Sequence, residues 1–130
     1  MFSHVFIGIQ DFSRAHGFYK PLMEMLGNEL RFHDPDKGWC GWYSAGRTRP
    51  LLVIGRPFDG QPHAPGNGQM VALAAASRAQ VHALYDAALA HGGICEGPPG
   101  LRPQYHPDYY GAYFRDTEGN KLCVVCHHPE

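Results

Sequence analysis

The chain has 130 residues, 44% hydrophobic and 12% aromatic, with a formal net charge of −1. That is the length of one domain and the composition of an ordinary packed core. No basic stripe gives the electrostatic footprint of a nucleic-acid binder, and the longest strongly apolar run, 51–54, is far too short for a membrane span.

Residues 3–9 read as a strand, with Val5, Ile7 and Ile9 on one face and His4, Phe6 and Gly8 on the other. Asp11 is placed to cap a helix in which Phe12, Ala15, Tyr19, Leu22 and Leu26 recur at helical spacing. Pro21 is expected to break or kink that helix near Tyr19, and Gly27 to end it. Strands are predicted at 29–33, 39–45 and 51–57, with the inward choice between Trp39 and Trp42 left open. The stretch 59–68, DGQPHAPGNG, reads as a linker between modules at 1–58 and 69–130.

A fifth strand is predicted at 69–76. Ser77 and Gln80 make a capping box for a second helix, with Val81, Leu84, Tyr85 and Ala88 as its buried stripe and Gly92-Gly93 as its stop. Residues 96–108, EGPPGLRPQYHPD, hold four prolines and are expected to form a stiff loop. Strands at 109–115 and 120–127 are joined by Asp116-Thr117-Glu118-Gly119, the pattern of a type I turn with glycine in the left-handed position.

Residues 4–27 align without a gap on residues 70–93, an offset of 66. Val5, His16, Tyr19 and Gly27 fall on Val71, His82, Tyr85 and Gly93, and strand, cap, amphipathic stretch and glycine recur in order. Two modules, each too small to close a large core alone, are implied. The expected architecture is α+β: one domain over 1–130, built of two tandem β-α-β-β-β modules. Their curved mixed sheets would surround a cleft, with the helices outside.

The opening HVFIGIQDFSRAHGFY, the segment SRAQVHALYDAALAHGG and the ending YHPDYYGAYFRDTEGNKLCVVCH resemble the vicinal-oxygen-chelate superfamily of glyoxalases, bleomycin-resistance proteins and extradiol dioxygenases. The resemblance spans the whole chain. It implies the same paired-module fold, a homodimer, and a small organic ligand in the inter-module cleft. In metal-dependent members it implies Zn, Ni, Mn or Fe held by the first and last strands of each module. His4 matches the first of those ligands; Met70 stands where a second His is common, and Cys123 where Glu is common. The last strand of module one, Leu51 to Ile54, offers no carboxylate. The hard-ligand set is therefore largely lost, no cofactor is expected, and the facial triad of an iron oxygenase is unavailable. The primary expectation is a small-molecule binder of this superfamily. The alternative is a metal-dependent lyase of glyoxalase type, or a dioxygenase-like enzyme, using His4 with a divalent Zn, Ni or Mn.

His4, Met70 and Cys123 also have the ligand types of a soft-metal site, though they equally suit a pocket wall. The run Cys123-Val-Val-Cys126-His127 matches the C-x-x-C-H of haem attachment, but no export leader precedes it. That leader's absence, and four cysteines read as reduced thiols, lead to the expectation of a cytoplasmic protein. In a strand Cys123 and Cys126 fall on opposite faces, roughly 10 Å apart, which disfavours a disulfide or a shared zinc. Around the stiff loop, Arg102, Tyr105, His106, Tyr109 and Tyr110 gather aromatic faces with one cation and one imidazole, a set suited to a planar or anionic ligand. The candidate binding residues are thus His4, Met70, Arg102, Tyr105, His106, Tyr110 and Cys123, with His4 the candidate metal ligand.

Overall fold

The computed structural model describes residues 1–130. Elements follow one another as β1 (His4–Gly8), α1 (Phe12–Met25), β2 (Leu30–Asp34), β3 (Trp39–Trp42), β4 (Leu51–Gly55), β5 (Val71–Ala74), α2 (Arg78–Ala90), β6 (Ile94–Leu101), β7 (Tyr110–Arg115) and β8 (Lys121–Cys126). This is β-α-β-β-β written twice. The chain divides into two units, Met1–Pro65 and Gly66–Glu130. The sheets have equivalent orders, β1-β4-β3-β2 and β5-β8-β7-β6. In each, the strand before the helix runs parallel to the last strand, and the other pairs are antiparallel. The offset of 66 carries α1 almost residue for residue onto α2. Residues 59–65 belong with the first unit, where the His63 amide donates to Gln10 Oε1 at 2.7 Å.

Asp11 caps α1 by accepting from the Arg14 amide. Gly27, at φ +74°, ends it: the Gly27 amide donates to Glu24 O and the Asn28 amide to Met23 O, the double bond of a Schellman close. Pro21 does not break the helix, which runs on to Met25. Its ring needs room at the carbonyl four residues back, and that residue is Gly17, exposed and with open space where a Cβ would stand. The carbonyl that loses a donor therefore faces water. In α2, Ser77 Oγ accepts from the Gln80 amide, while Gln80 Oε1 accepts from Ala76, one residue ahead of the cap. Val81, Leu84 and Ala88 are buried as expected, but Tyr85 is only half-buried.

The main correction concerns 96–108. Its first half is not loop but the end of β6, an eight-residue strand containing Pro98 and Pro99. Proline lacks the N–H of a central strand, but β6 is the sheet edge, and the ladder to β7 is bulged on both sides of Gly97.

Each unit has its core between sheet and helix. In the first, His33, Cys40 and Trp42 lie on the face that meets α1: His16 packs at a tilt on His33 with centroids 4.5 Å apart and stacks on Trp42 at 6.3 Å. Trp39 is on the opposite face, which settles the choice left open by the sequence. In the second unit Tyr110 meets α2, and register puts Ala112, Phe114, Leu122, Val124 and Cys126 on that same face. The type I turn forms as expected, with Gly119 at φ +85°. Asp116, buried, accepts there from the amides of Glu118 and Asn120 and from Asn120 Nδ2.

Candidate functional site

The face of the second sheet turned away from α2 carries the densest set of chemically useful side chains. Alternation along β7 and β8 brings Tyr113, Arg115, Lys121 and Cys123 to it, with Tyr113 opposite Cys123 and Arg115 opposite Lys121. Tyr109 just before β7 and His127 just after β8 continue the pattern. The turn after β6 folds over this face: the Arg102 amide donates to Tyr109 O and the Tyr105 amide to Arg102 O. Together these segments wall an open cavity of about 630 Å³. Met70, Tyr105, His106, Tyr109, Tyr113 and His127 line it, and Arg115 and Lys121 stand at its hairpin end.

The rings form a continuous cluster. His106 Nε2 and His127 Nδ1 are 2.8 Å apart, and the two imidazoles stack with centroids at 5.1 Å. Tyr109 meets both edge-on, at 5.7 and 5.4 Å, and packs on Tyr105 at 4.9 Å. The Tyr109 hydroxyl lies 3.0 Å from the Tyr113 hydroxyl and 3.6 Å from Cys123 Sγ. Burial, with the bonds to Tyr113 and Cys123, pushes the Tyr109 phenol far above its usual range. Burial likewise raises Tyr113 and the Cys123 thiol, for which nearby hydroxyls and cations only partly compensate. Tyr109 and Tyr113 thus present undissociated hydroxyls on an aromatic surface with a protonated thiol beneath it.

Of the residues singled out from sequence, Met70, Tyr105 and His106 share this cavity, and Cys123 lies under it. Arg102 sits with its guanidinium 5.5 Å from the Tyr113 ring centroid and donates to Pro98 O at 2.7 Å. Tyr110 is elsewhere. Its hydroxyl is 2.6 Å from His82 Nε2, and Arg78 covers its ring at 4.9 Å, so it belongs to the α2 side of the sheet. The reason is parity: neighbours in a strand point to opposite faces, and Tyr109 took the open one. Tyr113, Lys121 and His127 were not singled out as binding residues; the period-two series Tyr109, Gly111, Tyr113 and Cys123, Val125, His127 was the signal that marks Tyr113 and His127.

In the first unit His4 is exposed, its Nδ1 3.0 Å from Ser3 Oγ. Register places it with Phe6, Trp39 and Phe32 on the face away from α1. Gly41 and Gly55 make room for those rings: a Cβ on Gly41 would fall 2.6 Å from Phe32, and one on Gly55 2.8 Å from Phe6.

A divalent metal of the kind used by metal-dependent relatives needs several hard donors. At the matching positions this chain has one imidazole, a thioether and a buried thiol held protonated. Within each unit no three His, Cys, Asp or Glu side chains are grouped to hold an ion. The residues present do not fit that metal.

The sequence profile of the Glyoxalase/Bleomycin resistance protein/Dioxygenase superfamily matches residues 1–124. No curated protein matches the chain. Among solved structures, a glyoxalase/bleomycin resistance protein from Albidiferax ferrireducens T118 is 36% identical, with a TM-score of 0.86 over 97% of this chain and 98% of that one. A glyoxalase-related enzyme from Fulvimarina pelagi is 20% identical, with a TM-score of 0.73 over 97% of this chain and 87% of that one. A glyoxalase/bleomycin resistance protein/dioxygenase family enzyme from Burkholderia phytofirmans PsJN is 17% identical, with a TM-score of 0.71 over 97% of this chain and 98% of that one. With the profile covering nearly the whole sequence, the chain belongs to the glyoxalase/bleomycin resistance protein/dioxygenase superfamily.

Proposed function

We propose that this protein binds a small organic molecule on the open face of its second sheet, without a resident metal. The observation that carries the reading is the ring cluster of Tyr105, His106, Tyr109 and His127, every adjacent pair within 6 Å, along a cavity of about 630 Å³. Ligand sites of small molecules are clefts of this size, apolar and aromatic with a few placed polar groups. Hydrogen bonds from Tyr109 to Tyr113 and from His106 to His127 fix the rings before a ligand arrives, which lowers the ordering cost of binding. Superfamily membership by itself does not choose between binding and catalysis. The donor chemistry at positions 4, 70 and 123 favours binding.

The test is a fluorescence titration with the neutral probe phenylnaphthylamine. Tyr105→Ala and Tyr109→Ala are expected to raise its Kd about tenfold, the effect of losing one well-packed ring. Unchanged affinity in both variants, with folding intact by circular dichroism, overturns the assignment of the site.

A further inference from the structure

The charge around the cavity is one-sided. No Asp or Glu lines it, whereas Arg115 and Lys121 do, and Arg102 lies against the ring of Tyr113 that forms one wall. The three cations differ in what they already hold. Arg115 is occupied: its Nε donates to Glu96 at 2.8 Å and its Nη1 to Gly119 O at 3.0 Å. Arg102 gives Nη2 to Pro98 O. Lys121 forms no ion pair of its own, although its charge adds to that of Arg115 in holding the Glu96 carboxyl below its usual range, and its ammonium rests 5.6 Å from the Tyr113 ring centroid. The Tyr113 ring therefore has near it both an engaged guanidinium and an ammonium that forms no ion pair of its own, with its hydroxyl turned toward Tyr109.

The strands set the distance between the parts. Lys121 opens β8 and His127 follows its end, with Cys123 paired to Tyr113 between them. Tyr113 bridges the two ends: its ring centroid lies 5.6 Å from the Lys121 ammonium and its hydroxyl 3.0 Å from that of Tyr109, so one aromatic side chain separates the cation from the imidazole–tyrosine cluster. The wall is thus cationic at the hairpin end, hydroxylated in the middle, and aromatic at the far end.

We infer that the ligand of this cavity is a small aromatic anion, its negative group held by Lys121 beside Tyr113 and its ring system packed on Tyr109 and Tyr105. This rests on the binding reading above and adds the charge of the ligand to it. An ammonium at the edge of a partly desolvated wall, where the nearby Glu96 carboxylate is already held by Arg115, attracts an anion more strongly than one in open water. A neutral ligand would leave that attraction unused.

Two fluorescent probes separate the claims, because anilinonaphthalene sulfonate is phenylnaphthylamine with one sulfonate added. The wild-type protein is expected to bind the sulfonate more tightly than the neutral probe. Lys121→Gln is expected to weaken the sulfonate about tenfold while leaving the neutral probe within about twofold, and Lys121→Arg to restore the preference. Raising the salt concentration should weaken the sulfonate alone. Equal affinity for the two probes, or equal loss of both in Lys121→Gln, overturns the anion inference and leaves the binding site standing. Failure of Tyr105→Ala and Tyr109→Ala to move either probe overturns the binding site itself.

Discussion

His106 and His127, 21 residues apart, face each other through ring nitrogens 2.8 Å apart. One ring donates, the other accepts, and the pair ties the turn after β6 to the end of β8. The Asp108 amide donates in turn to His106 Nδ1, which fixes the His106 ring from its other side. A double-mutant cycle with His106→Ala and His127→Ala, read by urea unfolding, is expected to show a coupling of about 0.5–1.5 kcal/mol. Additive effects of the two changes would show that the bond contributes nothing in solution.

Asp116 is the buried carboxylate of the β7–β8 turn, with three donors from two neighbouring residues. Asp116→Ala leaves those amides without their acceptor and should cost about 2–4 kcal/mol of stability. Gly119→Ala places a side chain at φ +85° and should cost about 1–2 kcal/mol. Chemical denaturation checks both, and a loss for Asp116→Ala no larger than that for Gly119→Ala would contradict the ranking.

His16 lies between Phe12, His33 and Trp42. Burial, then the neighbouring His33, lowers its pKa below the usual 6.5. The unfolded chain therefore binds a proton at His16 more readily than the folded one. Stability from this residue is complete above about pH 6.5 and is lost as pH falls toward the lowered folded value. Melting temperature should fall between pH 7.5 and 5.5, and His16→Gln should flatten that slope. An equally steep slope in the variant would assign the pH dependence to other groups.

Pro21 occupies a helix interior, where it removes one intrahelical bond to the exposed Gly17 carbonyl. Pro21→Ala restores the donor at the cost of a more flexible unfolded chain, for a net gain of about 1–2 kcal/mol. A destabilised variant in thermal and urea unfolding would mean that the proline ring contributes packing that outweighs the bond.

Metal removal tests the donor argument. Protein purified without chelator is expected to carry well under one Zn, Ni or Mn per chain, and dialysis against EDTA should leave probe affinity unchanged. Stoichiometric metal that disappears in His4→Ala would restore the metal-dependent lyase reading.

The fold was legible because both modules carry their own punctuation. Asp11 and Ser77 start the helices, Gly27 stops the first by its left-handed φ, and the Asp116–Gly119 turn sets the last hairpin. Strand β6 was illegible because proline content argues against a strand, and only position in the sheet reveals that an edge tolerates it. The site was half legible. The cluster at 102–110 was visible as composition, yet composition cannot say that Tyr109 takes the open face and Tyr110 the helix face; one residue of register decides it. Lys121 was invisible as a ligand group, since its significance is that it forms no ion pair of its own while Arg115 holds Glu96.

The proline pair of β6 has a consequence outside the ligand cavity. Successive amides of a strand point to opposite edges, so one of the adjacent positions 98 and 99 falls on the outer margin of β6, and it has no amide hydrogen to offer. An incoming strand would find a gap in the ladder where it needs a donor, which works against growth of the second sheet beyond four strands. The same two residues that disguise β6 in the sequence guard it against edge-to-edge aggregation in concentrated solution.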